Sequence, residues 1–451
     1  MDRPFDPTKK WWLQGGFAPV SKEVTTTELS VKGSLPPQLS GLYVRNGSNP
    51  QSGSSTHWFF GDGMMHGVRL HGGKALWYRN RYVHTPLFDE HRGFDASGAP
   101  GGTTTQSNVS LVHHAGKLLS SGEVGVPFEI DPNDLRTIKP HTFAGKLLTN
   151  FTAHPKIDPA TGYLHFFGYD ITRPYLRYHV ADASGRLIST QAVDVPGPTM
   201  MHDFAITERD VVFWDLPVVF DLKLALQWLS QPKSGALPFQ WRPSHGARIG
   251  IMPLGGSTTA IKWYEIDPCY VFHGVNAYRD GDNVVIDVCR MKSVFNPNVP
   301  FIEDPSIHRW TVNTRSGKVS DDVISERPGE FPTHNPMVVG RKHRYAYFTE
   351  TPYVAQTFAP TGLIKYDYAT GRRETWDPGA SRHAGEWFFV PDKASNSEDA
   401  GWLMTYLYDQ ATNSSEFVVV DATNVGRGPI ASVSLPQRVP YGFHGTWVPD
   451  E

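Results

Sequence analysis

Apolar positions along this chain fall in short runs, rich in aromatic and β-branched residues, that end at turn-formers. Leu164–Ile171 (LHFFGYDI), Asp210–Phe220 (DVVFWDLPVVF), Asn283–Met291 (NVVIDVCRM), Arg344–Glu350 (RYAYFTE) and Glu416–Ala422 (EFVVVDA) are examples. Runs of this length and chemistry predict strands. One turn recurs between them: Asp158-Pro-Ala-Thr-Gly162, Asn313-Thr-Arg-Ser-Gly317 and Asp367-Tyr-Ala-Thr-Gly371, with Asp182-Ala-Ser-Gly185 as a shorter form. An Asp or Asn side chain capping a turn that ends in Gly suits a hairpin with one residue at positive φ. Repeated hairpins over 451 residues favour radial repetition over a single sandwich. A propeller of seven four-stranded blades would allot ~60 residues to each. No WD or Kelch signature accompanies the pattern, and no linker interrupts it, so residues 1–451 are read as one all-β domain.

One segment breaks the pattern. Asp221–Gln231 reads DLKLALQWLSQ between Pro217 and Pro232, and its composition predicts a short helix outside the sheets. Leu222, Leu226 and Leu229, with Trp228 beside them, are spaced to share a helix face. Two roles fit: a cap on the core, or an apolar surface that meets a membrane or admits a hydrophobic substrate.

Composition then removes whole classes of function. With 42 basic and 45 acidic residues the net charge is −3, and no Lys/Arg run offers a footprint for nucleic acid. Cys269 and Cys289 cannot form a disulfide framework, and no C-x-x-C is present to hold zinc. A reducing, cytoplasmic setting is expected. The start, Met1-Asp-Arg-Pro-Phe-Asp-Pro, has no apolar signal core, and no run of ~18 apolar residues forms a spanning helix. Nucleophile-elbow, P-loop, H-E-x-x-H and dinucleotide strings are all missing.

Histidine is what remains, with 19 in the chain. Four share a context: Ala153-His154-Pro155, Met201-His202-Asp203, Phe272-His273-Gly274 and Phe443-His444-Gly445. Each follows apolar residues and precedes a turn-former or an Asp, which suits the inner end of a core strand. Their spacing fits one residue per blade, converging on an axis. Neutral imidazoles suit iron, zinc, copper or nickel alike.

These residues carry a family resemblance. Gly41-Leu-Tyr-Val-Arg-Asn-Gly47 with Asn49-Pro50, and His57-Trp-Phe-Phe-Gly-Asp-Gly-Met64, resemble N-terminal motifs of the carotenoid cleavage oxygenases. Phe151-Thr-Ala-His-Pro-Lys-Ile-Asp158, Met201-His-Asp-Phe204, Phe272-His273 and Gly442-Phe-His-Gly445 are similar to that family's four iron-histidine motifs, in order and spacing. The resemblance implies a seven-bladed β-propeller, with short helices and loops capping one face over an axial iron site. Fe(II) would be held by His154, His202, His273 and His444. Glu123, Glu330 and Glu386 match the glutamates that accept hydrogen bonds from ligand imidazoles, a role that orients the rings and raises their basicity. The implied reaction is cleavage of a carotenoid or apocarotenoid double bond by O₂, with transient contact of the Leu222–Leu229 segment with a membrane.

The sequence departs from the family pattern at four places. Phe60 stands where the family has an Asp, which puts a loop hydrogen bond in question. Trp387 follows Glu386 where Pro is usual. Val109, in Asn108-Val-Ser110, replaces a threonine near the open iron position and cannot hydrogen-bond water or dioxygen there. Gly122 replaces the Lys with which lignostilbene-cleaving relatives hold a substrate phenol, which weighs against stilbenoid substrates. Other readings stay open: stilbenoid or phenylpropenoid cleavage, a non-oxidative member using the metal as Lewis acid, or a propeller hydrolase or binding scaffold with a structural ion.

Overall fold

The recurring turns close hairpins as their sequences require. In a computed structural model describing residues 6, 8–90, 102–230, 237–295, 304–354, 357–358 and 360–450, the N–H groups of Gly162, Gly317 and Gly371 each donate to the carbonyl four residues back at 2.8 Å. The three glycines have φ of +69°, +77° and +70°, a region open to glycine at little cost. The leading side chain caps each turn: Asp158, Asn313 and Asp367 accept at Oδ1 from the N–H two residues on.

These hairpins build seven antiparallel sheets of four to six strands, the blades of a β-propeller. The edge strands nearest the axis are Gly445–Pro449 in the first sheet, Ser110–His114 in the second and Lys156–Ile157 in the third. Phe204–Ile206, Tyr270–Asp280 and Gly329–Thr333 follow in the fourth to sixth, and Arg382–Ala384 with Phe388–Pro391 in the seventh. The two ends of the chain interlock the ring. Gly445–Pro449 pairs with Gly41–Arg45 in the first sheet, and Val31–Gly33 pairs with Pro429–Ser434 in the seventh.

The core lies between neighbouring sheets. Tyr43 and Val68 of the first sheet pack against Phe417, Val419 and Val433 of the seventh. The rings of Tyr43 and Phe417 stand 5.4 Å apart. A larger cluster joins the third, fourth and fifth sheets through Phe167, Tyr178, Phe213, Trp214 and Trp310.

The run Asp210–Phe220 is not one strand. Pro217 has no N–H for the ladder, and the run divides into Asp210–Asp215 in the fourth sheet and Val218–Phe220, which pairs separately with Phe239–Trp241. This small hairpin carries helix α1, Leu222–Ser230. Asp221 caps it, its Oδ1 accepting from the Leu224 N–H at 2.9 Å. Ala225 faces inward, whereas Leu222 and Leu226 are 64% and 57% exposed. The side chains of Trp228 and Leu229 lie outside the described residues. No helix among the described residues is long and apolar enough to cross a membrane.

Because Phe417 fills the seam that closes the ring, Phe417→Ala should cost about 3–5 kcal/mol through lost burial and a residual cavity. Urea denaturation would show a lower midpoint, while Leu76→Ala at an exposed position should shift stability by under about 0.5 kcal/mol.

Candidate metal centre

Each sheet contributes one residue to a common site. His154 and His202 immediately precede the inner strands of the third and fourth sheets, His273 lies within that of the fifth, and His444 directly precedes the closing strand of the first. Glu123 comes from a connection in the second sheet, Glu330 from the inner strand of the sixth, and Glu386 from between the two inner strands of the seventh. Two of these positions sit at irregularities in pairing. The register shifts around Gly274 and between Glu330 and Thr333, and such bulges re-aim side chains out of the regular alternation.

Four imidazole nitrogens, one from each histidine, lie within 4.8 Å of one another. The Nδ1 atoms of His202, His273 and His444 meet Glu123, Glu330 and Glu386 at 3.0, 2.5 and 2.8 Å. Facing a carboxylate in its ionised form, which only accepts, Nδ1 carries the proton and Nε2 presents its lone pair to the axis. His154 has no such carboxylate among the described residues; its backbone N–H donates to Thr152 Oγ1 at 3.2 Å.

The electrostatics favour the neutral form of two rings. Burial, then the neighbouring imidazoles, hold His154 and His273 well below the ordinary histidine range. Burial alone would lower His202 too, but the Glu123 carboxylate outweighs it and raises this group. Burial pushes the Glu330 carboxyl up to about 8, a shift that a nearby cation would oppose. The Nε2 of His273 is buried with no hydrogen-bond partner among the described residues, and the Nε2 atoms of His154 and His202 stand at hydrogen-bond distance, 2.9 Å. A cation on the axis would be within reach of all of these nitrogens. Four imidazole nitrogen donors, three of them backed by carboxylates, fit a divalent first-row transition metal.

Aromatic rings wall the site. Phe272 stands 5.3 Å from His202, and Phe331 stacks on His273 at 5.4 Å. Phe331 takes φ +50°, an unusual conformation for a bulky residue. The Val109 carbonyl accepts from the His444 N–H at 3.0 Å, and its side chain packs against the cluster of Trp58 and Phe443. The Arg45-Asn46 pair braces the same segment: Arg45 donates to the Pro440 carbonyl, and Asn46 exchanges main-chain bonds with Phe443 and His444.

The departures from the family motifs have local explanations. The loop containing Phe60 is closed by His57 Nδ1, which accepts from the Phe59 N–H, and by Ser48, which accepts from the Gly61 N–H. Trp387 is fully buried beside Trp376, and Glu386 still reaches both His444 and the Gly445 N–H. A Cβ at Gly122 would stand 2.5 Å from Thr105 Oγ1, so a lysine there requires local rearrangement. Tyr169, which motif reading does not single out, donates its hydroxyl to Glu123 at 3.0 Å. It ends an ordinary-looking strand run and gives no sequence signal.

His273→Ala should abolish metal retention while leaving metal-free unfolding nearly unchanged, since hairpins hold each sheet. Glu330→Gln removes no ligand and should weaken metal affinity by ~10–100-fold. Metal analysis after desalting, with chelator competition, checks both.

Residues 17–449 match the family described as retinal pigment epithelial membrane protein. The chain is 37% identical over 489 aligned positions to a carotenoid cleavage oxygenase of Mycobacterium tuberculosis, with 97% of each chain covered. Among solved structures it is similar to a lignostilbene dioxygenase of Pseudomonas brassicacearum (28% identity, 99% of each chain, TM-score 0.88). It is also similar to a cobalt-substituted apocarotenoid oxygenase of Synechocystis (25% identity, 97% of this chain and 98% of the other, TM-score 0.86). The sheet arrangement, the histidine and glutamate motifs and this full-length similarity lead to one conclusion: the chain belongs to the carotenoid cleavage oxygenase family, that of retinal pigment epithelial membrane protein.

Proposed function

We propose that the protein uses Fe(II) and O₂ to cleave a carbon–carbon double bond of a carotenoid or apocarotenoid to two carbonyl products. The observation that carries this reading is the convergence of four imidazoles, three braced by carboxylates, in a relative of carotenoid cleavage oxygenases. His154, His202, His273 and His444 would hold the iron, and bound Fe(II) would supply the activation of dioxygen. The overall reaction balances without a reductant: the C=C and O–O bonds break, two C=O bonds form, and both oxygen atoms leave in the products.

The remaining residues position and exclude. Glu123, Glu330 and Glu386 keep Nδ1 protonated and the rings oriented. Phe272 and Phe331 present apolar surface beside the histidines, and Val109 adds an aliphatic side chain where a hydroxyl would recruit water. A dry, aromatic-walled site suits a polyene held with one double bond over the metal.

Likeness to a lignostilbene dioxygenase supports a second reading, cleavage of a stilbenoid double bond. The absence of a cation at Gly122, and the close approach of Thr105 there, favour the polyene. In this reading the enzyme works in the cytoplasm, in transient contact with a membrane that supplies its insoluble substrate. Leu222 and Leu226, exposed one helical turn apart on α1, would each contribute about 1.5–3 kcal/mol on full burial, enough for reversible attachment.

Incubation of iron-loaded protein with an apocarotenal under ¹⁸O₂ should give two labelled carbonyl products by mass spectrometry, and a hydroxystilbene tested alongside should turn over at least tenfold more slowly. Turnover under argon would overturn the oxygenase reading; preference for the stilbene would overturn the substrate reading.

Leu222→Ser with Leu226→Ser should reduce liposome binding and the rate on liposome-borne substrate severalfold, with little change in detergent. Equal rates in both media for variant and wild type would remove the helix from membrane contact.

A further inference from the structure

Asp203 directly follows His202, and its side chain is only 2% exposed. Its Oδ1 pairs with Lys156 Nζ at 2.8 Å and accepts from the Phe204 N–H at 2.8 Å. Its Oδ2 accepts from the Gly274 N–H at 2.9 Å. Lys156 lies two residues beyond His154, and Gly274 one beyond His273. A single carboxylate therefore ties together the inner strands of the third, fourth and fifth sheets where they carry His154, His202 and His273. Burying a carboxylate is costly unless its oxygens are satisfied, and here a cation and two N–H groups satisfy them.

The two Phe-His-Gly segments show what this carboxylate adds. At His444, Glu386 takes both the imidazole Nδ1 at 2.8 Å and the Gly445 N–H at 2.7 Å. At His273 the same two bonds are divided: Glu330 takes the imidazole, and Asp203 takes the Gly274 N–H. Asp203 completes for His273 the cradle that Glu386 provides alone for His444. Glycine is needed at 274 because a Cβ there would stand 2.7 Å from Trp214 Cη2; the strand reaches the carboxylate only without a side chain.

We propose that Asp203, held by Lys156, is a positioning residue of the metal centre that sets His154, His202 and His273 in register before the metal binds. The proposal rests on the metal-binding reading above. Asp203 and Lys156 form one ion pair between the strands, and removing either partner breaks the same device. Loss of Lys156 alone leaves the Asp203 charge buried and under-compensated, which pulls on the Gly274 and Phe204 contacts.

Cobalt(II) is the probe, added to metal-free protein, with affinity read by chelator competition and ligand geometry by the visible d–d bands. Asp203→Asn and Lys156→Met should each bind cobalt ~10–100-fold more weakly with displaced bands. The double variant should bind no more weakly than Asp203→Asn alone, as expected for two groups acting as one unit. Arg279→Met is the control, because it breaks another ion pair between the fourth and fifth sheets, Arg279 with Asp210 at 2.6 Å, away from the histidines. It should lower the unfolding midpoint and leave cobalt affinity and bands unchanged. A folded Lys156→Met protein with wild-type affinity and bands would overturn the proposal even if Asp203→Asn fails to fold. So would equal weakening by Arg279→Met. Wild-type protein that takes up no cobalt would instead overturn the metal reading itself.

Discussion

Imidazoles brought nitrogen to nitrogen on one axis can share a cation only if each turns a lone pair inward. The centre of this protein is organised by that constraint. Burial and mutual proximity keep His154 and His273 uncharged, while Glu123, Glu330 and Glu386 determine which nitrogen of three rings faces inward. The Nε2 atoms of His154 and His202 lie at hydrogen-bond distance, and the Nε2 of His273 has no hydrogen-bond partner among the described residues. A divalent cation bound there would be shared by these nitrogens, and the carboxylates would offset charge that neutral imidazoles cannot.

The ring of sheets is what allows seven residues from distant parts of the chain to meet. Four sheets give a histidine and three give a glutamate, each on a strand or within a few residues of one. Closure and chemistry share one segment. His444 stands at the start of the strand that completes the first sheet, and Arg45 and Asn46 on the strand paired with it brace the approach to that histidine. A defect in the seam between the seventh and first sheets therefore reaches the site directly.

The two faces of the propeller are built by different rules. One face is punctuated by short Asp/Asn-to-Gly turns whose geometry is set within five residues. The other holds the irregular connections, helix α1 and the site. Departures from regular pairing occur at the site as well as in other sheets: bulges beside His273 and Glu330 and a left-handed Phe331. Strain of this kind persists where surrounding structure over-determines a conformation, and here it places an aromatic ring against His273.

The amino-acid sequence by itself determined the strands, the recurring turns and the helix at residue 222, because apolar alternation, capping side chains and glycine act within about ten residues. It also marked His154, His202, His273 and His444, since each sits in a short motif of its own, and Glu123, Glu330 and Glu386 through family likeness. The break at Pro217 was written in the chain but overridden in reading by the apolar run around it. What only the tertiary structure decided are pairings between sheets. Tyr169 reaches Glu123 across 46 positions, and Asp203 joins Lys156 and Gly274 across 47 and 71. Trp387 fills a core site beside Trp376 without displacing Glu386. These contacts depend on how closely adjacent inner strands approach once the ring is closed, and no local pattern of residues encodes a distance between sheets.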